Sequence, residues 1–244
     1  MSRLGESYDD RETRGGPPLR QSRRFSPWAG FNTDSRKLVS GGIFANWLFA
    51  DEGKTDGLFL DSYVTLRLGS PFQLTVGGGF GRDHNDSQWF GNFTEPLTRV
   101  THYSFAHLDY QETSVSVRVN YTMTPDLTLE LYARPFRATG VYSNFREVSG
   151  TPGAESYDAR FQAYTPPPDE AQDPQFKVTD LISNTVLRWE YRPGSTLFVV
   201  WQQGRRGPGD NDTFRQSWMR DYRQLFEQHP NNTFLVKVAY WFSR

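Results

Sequence analysis

The feature that most constrains this chain is a two-residue alternation of apolar and polar side chains. In residues 126–136, DLTLELYARPF, the odd positions are Leu127, Leu129, Leu131 and Ala133, and the even positions are mostly polar. Successive side chains of a β-strand point to opposite faces, so this period predicts strands with one apolar and one polar face. No run of about 18 apolar residues is present, so the sequence predicts no membrane-spanning helix.

Turn residues join the alternating segments into antiparallel hairpins. Turns are predicted at 69–71, 124–126 and 192–195, where Gly, Pro, Asp and Ser cluster. Further strands are predicted at 25–36, 39–50, 87–93, 97–109 and 233–242, for a total of about eleven strands. One helix is predicted within 211–230, where the aromatic side chains Phe214, Trp218, Tyr222 and Phe226 lie four residues apart.

The lengths of the connections favour one arrangement of these strands. If 127–145 is one long strand, the three tight turns lie at one end of the sheet. The long connections, 146–175 and 204–232, then lie at the other end. Short turns on one side and long loops on the other are typical of outer-membrane barrels.

We therefore expect an all-β fold, an antiparallel up-and-down transmembrane β-barrel with one short helix before the last strand. Residues 1–24 are charged and rich in Gly and Pro, which predicts a polar linker or disordered segment, and 25–244 form the barrel segment. Alternation by itself also allows a soluble β-sandwich or a lipocalin-like barrel.

Two sets of side chains define the two faces of the predicted wall. The lipid-facing set is Val115, Val117, Val119, Leu127, Leu129, Leu131, Leu187, Leu197, Val199, Val236 and Val238. The lumen-facing polar set is Arg67, Arg118, Glu130, Arg134, Arg188, Glu190 and Lys237. Charged residues in the middle of strands fit a polar lumen better than the surface of a packed core.

Aromatic residues near the strand ends fit the same interpretation. Trp189, Tyr191, Trp201 and Tyr240 are expected at the membrane–water interface, where amphipathic rings collect. Tyr240 and Phe242 form the aromatic pattern of a closing strand, which implies recognition by the barrel-insertion machinery. Ser243 and Arg244 follow that pattern, however, and Lys237 stands where a small residue is usual.

Composition narrows the classes of function. The chain has 27 basic and 28 acidic residues, so no global field would attract nucleic acid, and we expect no nucleic-acid partner. The mean hydropathy of −0.69 does not exclude a barrel, because only one face of each strand needs to be apolar. There is no Cys and therefore no thiolate metal site.

The sequence contains no catalytic or nucleotide-binding motif, so we expect no enzyme activity and no cofactor. Paired carboxylates such as Glu130 and Glu190 could in principle serve a glycosidase, but Arg neighbours favour ion pairing. His102 and His107 lie five apart on a predicted strand and thus on opposite faces. We therefore predict no metal site.

Several longer motifs resemble a known family: TRGGPPLR, FNTDSRK, YTMTPDLTLELYARPF, LRWEYRPGSTLFVVWQQGR and NTFLVKVAYWF. They are similar to the C-terminal barrel domain of unknown function in large bacterial surface proteins that carry an N-terminal carbohydrate-binding family nine-like domain. The resemblance covers about residues 13–242. It implies an outer-membrane location in a Gram-negative-type bacterium, contact with outer-membrane lipid, and a larger barrel with further strands and an export signal upstream.

Two functions follow as hypotheses. The first is a non-enzymatic outer-membrane barrel that acts in transport, anchoring or display, with a link to a glycan through a domain outside this chain. The second is a soluble β-rich carbohydrate-binding or glycosidase-associated protein. The two hypotheses differ in what should cover the apolar face.

Overall fold

A computed structural model describes residues 2–168, 175–207 and 217–242, which form antiparallel strands and, within these ranges, one α-helix. The strands in chain order are β1 (Ser2–Leu4), β2 (Ser7–Asp9), β3 (Leu19–Gln21), β4 (Arg24–Ser26), β5 (Trp28–Asn32), β6 (Val39–Ala50), β7 (Thr55–Leu68), β8 (Phe72–Thr94), β9 (Thr101–Thr124), β10 (Leu127–Val148), β11 (Phe161–Ala163), β12 (Gln175–Arg192), β13 (Ser195–Arg206) and β14 (Asn231–Ala239). Helix α1 (Trp218–Glu227) precedes β14, and short 3₁₀ turns occupy Asp51–Gly53 and Asp158–Arg160. The expected all-β antiparallel class is confirmed.

One twelve-stranded sheet contains every strand except the small hairpin of β2 and β3. The order is β1-β4-β6-β7-β8-β9-β10-β12-β13-β14, with β5 paired to β6 and β11 paired to β10. Strands from β6 onward therefore pair mostly with their neighbours in sequence. This is the up-and-down connectivity that the hairpin turns predict.

The tight turns lie at one end of the sheet, as predicted. The turn between β7 and β8 and the turn between β12 and β13 each contain a glycine with positive φ, Gly69 at 67° and Gly194 at 75°. Glycine adopts this left-handed conformation without the steric cost that a side chain would add. The segments 51–54, 95–100 and the long connections after β10 and β13 lie at the opposite end, which we call the loop end.

Helix α1 is shorter than the sequence pattern predicts. It begins at Trp218 rather than near Asn211, and residues 208–216, including Phe214, lie outside the described residues. The side chains of Tyr222 and Leu225 are buried with Leu181 of β12, so the helix packs on the sheet.

The N-terminal segment differs from the expected linker. Residues 2–24 carry strands β1, β2 and β3, and Thr13 and Leu19 are 0% and 3% exposed. Leu19 packs with Phe105, Tyr157 and Phe161 at the loop end. Charge, Gly and Pro are typical of linkers, but here contacts that are distant in sequence order the segment.

The buried side chains are few and most of them lie toward the loop end. Seven of the buried apolar side chains form two small clusters, one around Phe105 and Leu19 and one around Leu181 and Leu225. Between the tight turns and the ends of the apolar residues on each strand, neither face of the sheet is fully buried. The sheet is therefore held together by its ladder and by neighbouring side chains within each face.

A buried ion-pair network fixes helix α1 to the sheet. The Asp221 carboxylate pairs with the guanidinium of Arg137 and with Lys177 Nζ at 3.4 Å, and all three side chains are at most 5% exposed. Charges at this depth are tolerated only when they are paired and hydrogen-bonded.

Replacing Asp221 with Ala should release the helix. The change leaves two buried cations without this carboxylate, a loss of about 3–5 kcal/mol for a broken buried pair. Limited proteolysis should then cleave within 217–230 before the sheet unfolds. Glu227→Ala, which removes an exposed acid from the same helix, should leave the cleavage rate unchanged. Equal protease resistance of wild type and Asp221→Ala would contradict this role.

A histidine joins the turn after β8 to β10. His102 Nδ1 contacts Glu147, and its Nε2 lies 3.3 Å from Glu95 Oε1. Burial by itself would lower the pKa of His102, but the hydrogen bonds to Glu147 and Glu95 outweigh it and raise the pKa above its ordinary value. A raised folded-state pKa means that the ion pairs stabilise the fold below the unfolded pKa, about 6.5, and that this contribution is lost as the pH rises through the folded pKa.

The His102→Gln variant should therefore lose protection of its backbone amides against hydrogen exchange, mainly at acidic pH. Hydrogen exchange of residues 95–102 should be faster in the variant than in wild type at about pH 5, and the difference should shrink at about pH 9. Comparing the two proteins at the same pH cancels the intrinsic pH dependence of exchange. His229→Gln, on an exposed residue, is the control. A difference independent of pH would rule out the proposed charge state.

Candidate functional surface

The ladder register aligns apolar side chains into a row across eight strands of the sheet. One row contains a residue from each strand from β6 to β14 except β11: Val39, Leu66, Leu74, Val119, Leu131, Thr185, Trp201 and Phe234. Only the threonine in this row is polar. Residues directly opposite each other in a ladder point to the same side, so these side chains define one face, which we call the apolar face.

The chain neighbours of that row form a row on the opposite face. It contains Ser40, Thr65, Thr75, Arg118, Tyr132, Asn184, Gln202 and Thr233. Every member carries a polar group, and Thr65 Oγ1 lies 3.0 Å from Thr75 Oγ1. We call this side the polar face. In these two rows the sheet is thus amphipathic from β6 to β14.

The ladder register puts the two predicted sets of residues on opposite faces of the sheet. Every side chain of the lipid-facing set (Val115, Val117, Val119, Leu127, Leu129, Leu131, Leu187, Leu197, Val199, Val236 and Val238) has its register position on the apolar face. Every side chain of the lumen-facing set (Arg67, Arg118, Glu130, Arg134, Arg188, Glu190 and Lys237) has its position on the polar face.

Within the described part of the chain, no packed layer covers the apolar face at these positions. None of the predicted lipid-facing side chains is buried, and Val236 and Val238 are 64% and 62% exposed. In a β-sandwich, these residues would interdigitate with a second sheet. The described residues contain one other sheet, the short β2–β3 hairpin, and it is far too small for that purpose.

The apolar face has a boundary that is oblique to the ladder rows. We call the successive apolar positions of a strand on this face its apolar run. Going toward the loop end, the run ends at Trp201 on β13, in one shared row at Pro135 on β10 and Val115 on β9, and then at Phe80 on β8, Leu58 on β7 and Phe49 on β6. On β12, Thr185 and Ser183 interrupt the run. Trp201 shares its row with Val39, the first residue of β6, whereas the run on β6 continues to Phe49. The boundary therefore rises across the sheet from β13 to β6, with no step between β10 and β9.

The polar face contains ion pairs and cation–π contacts between neighbouring side chains. Arg188 Nη2 lies 3.1 Å from Glu190 Oε2. The guanidinium of Arg118 lies 5.4 Å from the ring centre of Tyr132, and Arg134 Nη2 donates to Ser114 Oγ at 3.5 Å. The expected pairing of Arg with carboxylates on this face is thus observed at Arg188 and Glu190.

The aromatic side chains predicted at the membrane interface are exposed, and they lie at two different heights along the strands. Trp189, Tyr191 and Tyr240 lie near the tight turn of β12 and β13, where Arg192 Nη1 donates to the Tyr240 hydroxyl at 2.6 Å. Trp201 lies further along β13, stacked at 6.0 Å on Phe234. Strand β14 ends at Ala239, so Tyr240 and Phe242 follow it, with ring centres 4.5 Å apart.

Helix α1 lies beside the oblique boundary on the apolar face. Its partners Arg137, Lys177 and Leu181 and the hydrogen-bonded Thr113 occupy apolar-face register positions just beyond the apolar run. A cavity of about 670 Å³ lies between helix and sheet, lined by Phe80, Thr139, Trp218 and Tyr222 among others. The apolar face therefore becomes polar and covered toward the loop end.

Some residues that could bind a ligand were missed at the sequence level. His84 and His107 come together on β8 and β9, and Asp109 joins them. The spacing of His102 and His107 in the sequence does not reveal His84. Register shifts between Asn85 and Gln88 and between Trp89 and Gly91 separate the row of His84 and Asp109 from the turn at 95–100 that joins β8 to β9.

The comparisons with known proteins identify a family. Residues 2–243 match the domain of unknown function DUF5916. No curated protein and no solved structure matches the chain. Helices with the length and hydropathy required to cross a bilayer are absent from the described ranges. Because the match spans nearly every residue, this chain belongs to the DUF5916 family.

Proposed function

We propose that this chain forms part of the wall of an outer-membrane β-barrel, with the apolar face toward lipid and the polar face toward the lumen. The observation that carries the proposal is the uncovered apolar face, which continues in register across eight strands. Covering this face with lipid instead of water would stabilise the protein by about 25 cal/mol for each Å² of apolar surface removed from water. A bilayer is the environment in which such a face is satisfied.

The oblique boundary of the apolar face supports strands that are tilted relative to the membrane normal. From β13 to β6 it rises by about ten residues, or about 33 Å, across six strand spacings that total about 29 Å. This gives an inclination of roughly 45–50° between the ladder rows and the boundary. Strands in membrane barrels tilt by about 35–45° from the membrane normal, and a horizontal lipid boundary then crosses the rows at a similar angle.

The height of the apolar run also fits a bilayer. On β10 it extends from Leu127 to Pro135, about nine residues, and a tilted strand needs about 9–11 to cross the hydrocarbon core. The whole of β10 has 22 residues and β9 has 24. The remaining length of each strand therefore extends beyond the membrane on the loop end, where helix α1 and the N-terminal segment pack.

The exposed apolar side chains of the edge strand β14 are evidence for a larger barrel with further strands. Both faces of β14 carry exposed apolar side chains, among them Phe234 at 70% and Leu235 at 55%. Native proteins protect such edges by pairing or by charge. We infer that β14 pairs with a further strand in a larger barrel, and that Tyr240 and Phe242 are presented to the insertion machinery.

The proposed role is non-enzymatic: transport, anchoring, or display of a glycan-binding domain. The link to a glycan rests on the family resemblance alone. The polar face, with Arg118, Arg134 and Arg188 among hydroxyl and amide groups, provides a hydrated wall suited to a lumen.

Fractionation of the protein in its native host tests the proposal directly. The chain should remain in the membrane pellet through washes with high salt and carbonate and should be released by detergent. The unheated sample should also migrate differently from the boiled sample on a gel, because barrels resist the detergent until heated. Release into buffer without detergent would overturn the proposal and favour a soluble β-rich protein.

Two adjacent valines on β13 allow the two faces to be tested separately. Val199 lies on the apolar face and Val200 on the polar face, and both are partly exposed. Val199→Arg should lower the free energy of unfolding in lipid vesicles by about 2–4 kcal/mol if it lies near the bilayer midplane. Val200→Arg should cost much less, because Glu130 lies in its row and the lumen is hydrated.

The measurement is urea-induced unfolding in vesicles, followed by heat-modifiable gel mobility. Since the two variants introduce the same residue at neighbouring positions, differences in strand propensity cancel. Equal costs, or a larger cost for Val200→Arg, would contradict the assignment of the apolar face to lipid.

A further inference from the structure

Two histidines and an aspartate meet near the loop end of β8 and β9. His84 is the register partner of Asp109, and His107 lies two residues before Asp109 on the same face. Their ligand atoms, one from each side chain, all lie within 4.8 Å of one another. The group lies beyond the apolar run, which ends at Phe80 and Val115 on these strands.

The contacts within the group converge on one carboxylate. His84 Nδ1 contacts Asp109 Oδ1, and His107 Nε2 lies 3.4 Å from the same oxygen. The two imidazole rings are stacked, with centroids 6.1 Å apart and an interplanar angle of 28°. A simple His–Asp hydrogen bond needs only one imidazole, and here two present a nitrogen to one oxygen.

A second carboxylate fixes the orientation of His107. Its Nδ1 lies 3.1 Å from Asp86 Oδ1, and Asp86 is in turn held by Arg146 Nη2 at 2.7 Å from its other oxygen. Asp86 and Arg146 are both buried. When Nδ1–H donates to Asp86, the lone pair of Nε2 points toward His84 and Asp109. Carboxylate–histidine pairs of this kind orient imidazole ligands in metal sites.

The group is also accessible and electrostatically suited to a cation. The side chains of His84 and His107 are 25% and 22% exposed, and Asp109 is 49% exposed, so a metal ion and water can reach them. Asp56 is the register partner of His84 on β7 and adds negative charge to the row.

We propose that His84, His107 and Asp109 bind Zn²⁺, with Asp86 as the residue that positions His107. Imidazole nitrogen and carboxylate oxygen are the ligand types that Zn²⁺ takes in sites with three protein ligands and an open position for water. At about 2.1 Å from the metal, tetrahedral ligand atoms lie roughly 3.4 Å apart. The present spacing therefore needs only small side-chain rotations, which the exposed Asp109 permits.

The site is separate from the proposed membrane function. It would tie β8 to β9 outside the apolar run, and it needs only the loop end of these strands to fold. A failure of metal binding would leave the face assignment intact, and the reverse also holds.

The test is metal titration of the detergent-solubilised full chain. Calorimetry with Zn²⁺ should show one site per chain, and Co²⁺ as a substitute should give visible absorption bands from a low-symmetry site. His84→Gln and His107→Gln should each weaken Zn²⁺ binding by at least about 10-fold. His102→Gln and His229→Gln, the other two histidines of the chain, are matched controls and should bind as wild type does.

Circular dichroism of each variant establishes that the strands are retained before titration. Wild-type protein that shows no saturable Zn²⁺ binding would overturn the proposal. So would binding that is lost equally in the two control variants, since the metal would then occupy another place.

Discussion

The structure depends above all on ladder register. Because side chains alternate strictly, a slip of one residue between any two strands would move Leu131 or Val119 to the polar face and bring Arg118 or Tyr132 to the apolar one. The tight turns hold this register, and Gly69 and Gly194 supply the positive φ that the turns at β7–β8 and β12–β13 require. Eight strands then keep the same assignment of faces without a packed core beneath them.

Beyond the end of the apolar run, buried ion pairs hold neighbouring elements together. The positions just beyond it carry Arg137 and Lys177, which would be costly on an exposed apolar wall, and both pair with Asp221 under helix α1. Arg146 makes a similar buried pair with Asp86, and its guanidinium lies over the rings of Tyr157 and Phe161. Each of these pairs joins a cationic strand residue to an acid from another part of the chain. The loop end is thus held by specific, non-local pairs, whereas the apolar run is held by the ladder.

This division explains how much could be predicted from sequence. The hairpins around residues 69–71, 125–126 and 193–194, and the two faces of their strands, follow from local alternation and turn chemistry. The N-terminal segment could not be predicted, because Leu19 is buried only through contact with Phe105, Tyr157 and Phe161, far away in sequence. The pairing of His84 with Asp109 could not be predicted either, because the register shift between Asn85 and Gln88 lies between this pair and the turn at 95–100 that joins β8 to β9.

The oblique boundary bears on the choice between a membrane wall and a soluble sheet. A soluble sheet places its apolar residues wherever a covering layer lies, and the described residues supply a cover only near helix α1 and the N-terminal segment, beyond the run. A bilayer instead imposes one flat boundary on every strand, whatever the tilt of the strands. From β13 through β10, β9, β8 and β7 to β6, the height at which the run ends never falls, and only β10 and β9 share one row. Independent strands have no local reason to follow that order, whereas tilted strands that meet a common plane must follow it.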